Sequence, residues 1–148
     1  MRIAVLHGPN LGRLGQREPE IYGATTLAEV DDGLIRLGRE LGVEVETFQS
    51  NHEGELVDFI EAATERVSGF VVNGAGLTHT SVVLRDALVG SGRPFTEVHL
   101  SNTSAREAFR ARSLLSPVAT GVVYGFGPES YLLGLRGLVS HLSPDPGT

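Results

Sequence analysis

The sequence predicts an α/β protein, a five-stranded parallel sheet with helices on both faces. Three observations lead there. Short runs rich in branched apolar residues alternate with longer runs of helical period, the segments between strand runs are long enough for parallel crossovers, and the strand runs stop at five. Arg2-Ile-Ala-Val-Leu-His7 is the first strand, too short for a helix and strongly apolar. A Gly- and Pro-punctuated stretch from Gly8 to Thr25 follows, long for a connection within one domain. Thr26-Leu27-Ala28-Glu29 has the form of a capping box and opens a helix to Leu41. Leu27, Val30, Leu34, Leu37 and Leu41 form its apolar face, and Gly42 is its C-terminal stop. Val43–Phe48 alternates as a strand with one exposed face should.

A second helix is expected over Glu53–Val67, with Leu56, Phe59, Ile60 and Ala63 inward, and Gly69–Asn73 reads as a buried strand. After the turn Gly74–Thr78, a helix is expected over His79–Val89, then a strand over Pro94–Leu100 with the proline tolerable only at its start. A short helix over Ala105–Arg112, a strand over Val118–Val123 and a last helix opened by Gly127-Pro128 and running through Leu132, Leu135 and Leu138 complete the pattern. Ser143–Thr148 reads as a frayed tail. No repeat or linker interrupts residues 1–148, so one domain is expected. Five strands favour the flavodoxin-like three-layer sandwich, sheet order 2-1-3-4-5, over the six-stranded dinucleotide fold.

Composition narrows the chemistry. A net charge of −6 argues against a general nucleic-acid binder, since neutralising phosphates needs a basic face. No apolar run approaches the ~18 residues of a membrane span. The chain enters a strand at once without the apolar segment of a secretory signal, so a cytoplasmic protein is expected. Cysteine is absent, which removes thiolate catalysis and disulfides. All 12 basic residues are arginine, which removes the lysine Schiff base and the Walker lysine together.

Ligands of open α/β sheets bind beyond the carboxyl ends of the strands, where strand order reverses. Here that is between strands 1 and 3. The segments leaving strands 1, 3 and 4 hold most of the unusual polar residues: Gly8–Gly23 with Asn10, Arg17 and Tyr22; Asn73–Ser81 with His79; and His99–Arg106. Solvated loops need no such concentration of His, Tyr, Asn and Arg. Taken singly, each has an ordinary reading too. Tyr22 could be a packed loop aromatic, Arg17 a partner of Glu18 or Glu20, His99 a structural histidine and His79 a residue near a helix N-cap, while His52 and His141 read as ordinary helix residues. Gly74-Ala-Gly76 and Gly125-Phe-Gly127 are incomplete phosphate-loop patterns. A response-regulator receiver would need an aspartate where Asn73 stands, and a lysine.

Six separated motifs resemble the type II dehydroquinases (type II 3-dehydroquinate dehydratases) over nearly the whole chain. They are Gly8-Pro-Asn-Leu11 through Leu14-Gly15; Arg17-Glu-Pro with Tyr22-Gly23; Gln49-Ser-Asn-His-Glu-Gly-Glu-Leu56; Leu77-Thr-His-Thr-Ser81 with Arg85-Asp-Ala87; Glu97-Val-His-Leu-Ser-Asn102; and Arg106-Glu-Ala-Phe-Arg110. The resemblance implies dehydration of 3-dehydroquinate to 3-dehydroshikimate in the shikimate pathway or in quinate breakdown, with no metal and no cofactor. It also implies a homo-oligomer, a dodecamer of four trimers, with no nucleic-acid or membrane partner. By resemblance Tyr22 matches the base that takes the proton α to the ketone, Arg17 the cation that stabilises its phenolate, Asn10 the residue holding a water or oxygen near the enolate oxygen, and His99 the acid that protonates the departing hydroxyl. Asn73, His79, Leu100 through its N–H, Ser101 and Arg110 match the groups gripping carboxylate and ring hydroxyls. Asp86 matches a residue reaching a neighbouring subunit's site, and Glu97 one that orients His99. The chain departs from the common pattern at His7, where asparagine often stands, at Gly12-Arg13, at Asn73-Gly-Ala-Gly76 and at Thr103-Ser104. Two other readings stand beside the enzyme: a non-catalytic binding module on the same fold, and a flavin-binding domain. The trio Arg17, Tyr22 and His99 favours the enzyme, because no structural need explains it.

Overall fold

The structure, a computed structural model, describes residues 1–16, 20 and 24–143. Its sheet is parallel throughout with the expected order β2-β1-β3-β4-β5. The strands are β1 (Arg2–His7), β2 (Glu44–Gln49), β3 (Gly69–Asn73), β4 (Phe95–His99) and β5 (Gly121–Tyr124). The helices are α1 (Leu27–Leu41), α2 (Glu53–Ala63), α3 (Val82–Ser91) and α4 (Glu129–Leu142).

The period of two along a strand divides the core between the two faces. Ile3 and Val5 of β1 belong to one cluster with Leu34 of α1 and Leu135 and Leu138 of α4. Ala4 and Leu6 face the other way, into Leu56 and Ile60 of α2 and Leu84 and Leu88 of α3. Leu34, Ile60 and Leu135 have no exposed surface, and burial of each such side chain stabilises the fold by about 1.5–3 kcal/mol. One close approach fixes a residue type: a Cβ on Gly134 of α4 would lie 2.5 Å from Val98 Cγ1 of β4, so the helix sits directly on the sheet.

Capping chemistry sets the helix ends. Thr26 Oγ1 accepts the Glu29 N–H at 3.2 Å, as the capping box requires, and Gly42 closes α1 in the left-handed conformation at φ 75°. Helix α2 ends at Ala63, short of the expected Val67: the Thr64 hydroxyl bonds back to the Ile60 carbonyl at 2.7 Å, and the Arg66 guanidinium takes the Ala62 carbonyl at 2.9 Å. Helix α3 starts at Val82, not His79, because Ser81 is the N-cap and accepts the Leu84 N–H at 2.8 Å; Ala75–His79 forms a 3₁₀ turn instead.

Two further expectations are corrected. The helix expected over Ala105–Arg112 is two 3₁₀ turns, Thr103–Ala105 and Ala108–Ala111, interrupted where Arg106 is extended at φ −106° and ψ −157°. The fifth strand begins at Gly121 rather than Val118, since Ser116–Val118 is a 3₁₀ turn with proline in its first positions. Among the described residues no helix is long and apolar enough to cross a membrane.

Candidate active site

Parallel register brings the carboxyl ends of the strands level. His7 lies beside Asn73 across β1 and β3, and His99 beside Tyr124 across β4 and β5. The loops leaving β1, β3 and β4 enclose a cleft, placed beyond the carboxyl ends of the strands where open α/β sheets bind small molecules. Asn10, Asn73, His79, His99, Leu100, Ser101 and Arg110 line it, so seven of the residues singled out from the sequence meet here. Asp86 is exposed on α3 and is not among the lining residues. Arg17 and Tyr22 lie outside the described residues.

Two residues of the cleft wall hold left-handed backbone without being glycine: Asn10 at φ 72° and Ala75 at φ 50°. Such conformations cost roughly 1–2 kcal/mol for an L-residue and persist only where surroundings impose them. At Asn10 the imposition is visible: its N–H donates to Asn51 Oδ1 at 2.9 Å, and Gln49 Nε2 donates to the Gly8 carbonyl at 3.2 Å and to the same Asn51 oxygen at 3.2 Å. At Ala75 the N–H donates to Asn73 Oδ1 at 3.1 Å. Gly8 closes the gap between these loops. Its N–H donates to the Asn73 carbonyl at 2.8 Å, and a Cβ there would stand 2.5 Å from the Gly74 carbonyl oxygen.

The floor of the cleft is His99, 6% exposed, backed by Glu97, 2% exposed. Glu97 Oε2 is 2.6 Å from His99 Nε2, while its Oε1 accepts from Ser113 Oγ at 2.8 Å and Ser116 Oγ at 2.7 Å. Burial pushes the Glu97 carboxyl up, but the hydrogen bonds from His99 and Ser116, the field of the imidazole and the Ser113 bond outweigh it. The group is held below the usual carboxylate range. An ionised carboxylate only accepts, so Nε2 carries the hydrogen between them. Nδ1 is left for the cleft, with no hydrogen-bond partner among the described residues. The His79 ring lies nearly parallel to His99, centroids 6.4 Å apart, and its Nδ1 is 2.7 Å from the Arg112 carbonyl.

The cations gather at the far wall. Arg110 pairs with Glu107, whose carboxyl it holds below the usual range through that hydrogen bond. Arg106 Nη1 reaches Ser101 Oγ at 3.3 Å and lines the same wall. Among the described residues two guanidiniums and two imidazoles border the cleft and no carboxylate does, in a chain of net charge −6. The site therefore suits an anionic ligand. Among the described residues no three His, Cys, Asp or Glu side chains are grouped to hold a metal ion.

The sequence model of the family described as dehydroquinase class II matches residues 1–139. The chain belongs to this family. Among its curated relatives, a 3-dehydroquinate dehydratase of Geotalea daltonii is 51% identical over 142 residues, covering 96% of this chain and 99% of that one. The crystal structure of a type II dehydroquinase from Propionibacterium acnes superposes with a TM-score of 0.90 at 44% identity, over 94% of this chain and 96% of that one. That of a type II dehydroquinase from Butyrivibrio crossotus gives 0.92 at 38% identity, over 95% and 98%.

For a type II dehydroquinase, the sequence reading missed two kinds of residue. Arg106 opens the same motif as Arg110, four residues earlier, and the pair could have been found from that spacing alone. Ser113 and Ser116 carried no signal, because their role exists only where the chain returns to Glu97.

Proposed function

We propose that this chain eliminates water from 3-dehydroquinate by an enolate route in the cleft described above. As a member of its family it has the activity of a 3-dehydroquinate dehydratase, a hydro-lyase of the shikimate pathway. The observation that supports the route best is the His99–Glu97 pair at the floor of a cleft bordered by arginine and histidine. In this reading the Tyr22 phenolate, stabilised by the Arg17 guanidinium, removes the proton α to the ketone and leaves an enolate. A tyrosine of pKa ~10 is a poor base near neutrality without such a cation. Asn10 holds a water or oxygen against the enolate oxygen. The enolate re-forms the ketone by expelling the β-hydroxyl, which takes a proton from Nδ1 of the His99 imidazolium and departs as water, leaving the neutral ring with its Nε2–H on Glu97. The products are the conjugated enone and water, and Tyr22 returns its proton to His99 through solvent.

Ser101, the Leu100 N–H, His79 and Arg110 grip the carboxylate and ring hydroxyls, with Asn73 on the opposite wall, and Glu97 keeps the His99 tautomer. We further propose a dodecamer of four trimers in the cytoplasm, with Asp86 reaching a neighbouring site. Its exposure on α3 among Val82, Val83 and Val89, which are 57%, 51% and 55% exposed, supports a covered face there. The purified chain should raise ultraviolet absorbance as the enone forms, and borohydride added with substrate should leave the rate unchanged. Absence of the enone refutes the activity, and borohydride inactivation refutes the route.

A further inference from the structure

Beneath the cleft a line of polar groups, buried but for the half-buried Asp31, leads to Asn73, and the proposed chemistry uses none of them but Asn73. Asp31 Oδ1 of α1 is 2.8 Å from His7 Nε2, and His7 Nδ1 is 2.8 Å from Tyr131 Oη of α4. Tyr131 Oη accepts from Asn73 Nδ2 at 3.0 Å, and Asn73 Oδ1 accepts the Ala75 N–H at 3.1 Å. His7 is wholly buried, and Tyr131 is 1% exposed. Groups this deep are costly unless paired, and here each is paired.

The line has one polarity, and both ends dictate it. The Ala75 N–H can only donate, so it fixes the amide oxygen of Asn73 toward itself and the amide nitrogen toward Tyr131. Tyr131 keeps its proton: burial raises its pKa, and the Asn73 bond lowers it by less. With one lone pair taken by Asn73, its O–H donates to His7 Nδ1. His7 then carries its hydrogen on Nε2, facing a carboxylate that only accepts. Reversing a link would set donor against donor at Ala75 or acceptor against acceptor at Asp31.

We propose that Asp31, His7 and Tyr131 are positioning residues which fix the orientation of the Asn73 amide in the cleft. This rests on the reading of Asn73 as a group that grips the substrate. One Nδ2 hydrogen and one Oδ1 lone pair are taken by the line, so the remaining hydrogen and lone pair meet the ligand in a set direction. The same bond to the Ala75 N–H holds the left-handed turn at φ 50° that shapes this wall. A half-buried aspartate on α1 thus acts on the ligand through a histidine and a tyrosine without touching it.

Steady-state kinetics of the full chain on 3-dehydroquinate tests this. Tyr131→Phe keeps the ring and removes Oη. His7→Met keeps the bulk and removes both nitrogens. Each should raise KM about threefold to tenfold, the worth of a neutral hydrogen bond, with kcat within about twofold. His7→Gln should leave KM near that of the parent, because its amide offers an acceptor to Tyr131 and a donor to Asp31. In an Asn73→Ala background, Tyr131→Phe should add no further rise. If it adds its full factor there, or if His7→Gln is as damaging as His7→Met, the positioning role is overturned while Asn73 keeps its own. If Asn73→Ala alone leaves KM unchanged, the role of Asn73 falls, and the inference with it.

Discussion

Replacing Glu97 with glutamine tests whether the pair with His99 supplies the acid. The substitution keeps the shape and removes the charge, and the surrounding bonds determine how the new amide lies. Ser113 Oγ accepts the Leu115 and Ser116 N–H groups, each at 3.0 Å, while donating to Glu97 Oε1 at 2.8 Å. Both of its lone pairs are occupied, so it can only donate toward residue 97. The amide oxygen of the glutamine must therefore face Ser113, and its NH₂ must face His99 Nε2. That nitrogen becomes an acceptor, the ring proton moves to Nδ1, and the histidine can no longer deliver a proton without becoming an anion. Loss of one charge-assisted bond alone costs about 1.5–3 kcal/mol, or roughly 10- to 160-fold in rate. A histidine forced into the wrong tautomer by an acid-to-amide change loses about 10⁴-fold in a serine protease. Glu97→Gln should thus lower kcat by at least about 100-fold, between these two magnitudes.

The assay follows enone absorbance alongside exchange of the α proton with deuterated solvent. Exchange should survive, since the proposed route gives proton abstraction to Tyr22 and not to His99. A second variant isolates the tautomer. Ser116 Oγ makes its one hydrogen bond to Glu97 and has lone pairs to spare. In Glu97→Gln with Ser113→Ala the NH₂ can turn to Ser116, the oxygen to His99, and part of kcat should return despite a lower melting temperature. A kcat for Glu97→Gln within tenfold of the parent, or exchange falling in step with dehydration, refutes the reasoning.

Other outcomes are expected. Tyr22→Phe should nearly abolish turnover, and a neutral residue at Arg17 should cripple it with recovery at high pH as Tyr22 ionises unaided; Tyr22→Phe within tenfold of wild type removes the base from that residue. Because the folded Glu97 pKa lies below its unfolded value, its contribution to stability is present above the unfolded pKa and is lost as pH falls through the folded one. Urea unfolding between about pH 5 and pH 3 should therefore show a smaller drop for Glu97→Gln than for the parent. Gly134→Ala, which drives a Cβ to 2.5 Å from Val98 Cγ1, should destabilise by about 1–3 kcal/mol and lower the melting temperature by several degrees in calorimetry. Light scattering should give about twelve chains per particle; a fully active monomer contradicts the assembly.

Local chemistry was enough for much of the fold. Helix α1 was legible to the residue because a threonine cap and a left-handed glycine act within one turn of chain. Strands β1, buried from Ile3 to His7, and β3, buried throughout, were legible because burial on both faces demands apolar runs. The parallel sheet followed from the length of the crossovers and its order from the count of five strands, and the positions of Asn10, Asn73 and His99 around one cleft followed from that order. Tertiary structure decided what rests on partners distant in sequence. Arg106 breaks a segment of good helix formers by turning extended on its way to Ser101, and proline-led Ser116–Val118 gives up strand structure where the Ser116 hydroxyl meets Glu97. The line through His7 joins residues 24 and 124 positions away from it. No periodicity encodes such a line, because hydrogen-bond direction depends on which donors and acceptors end up buried face to face, and that is settled only when the sheet and both helix layers close.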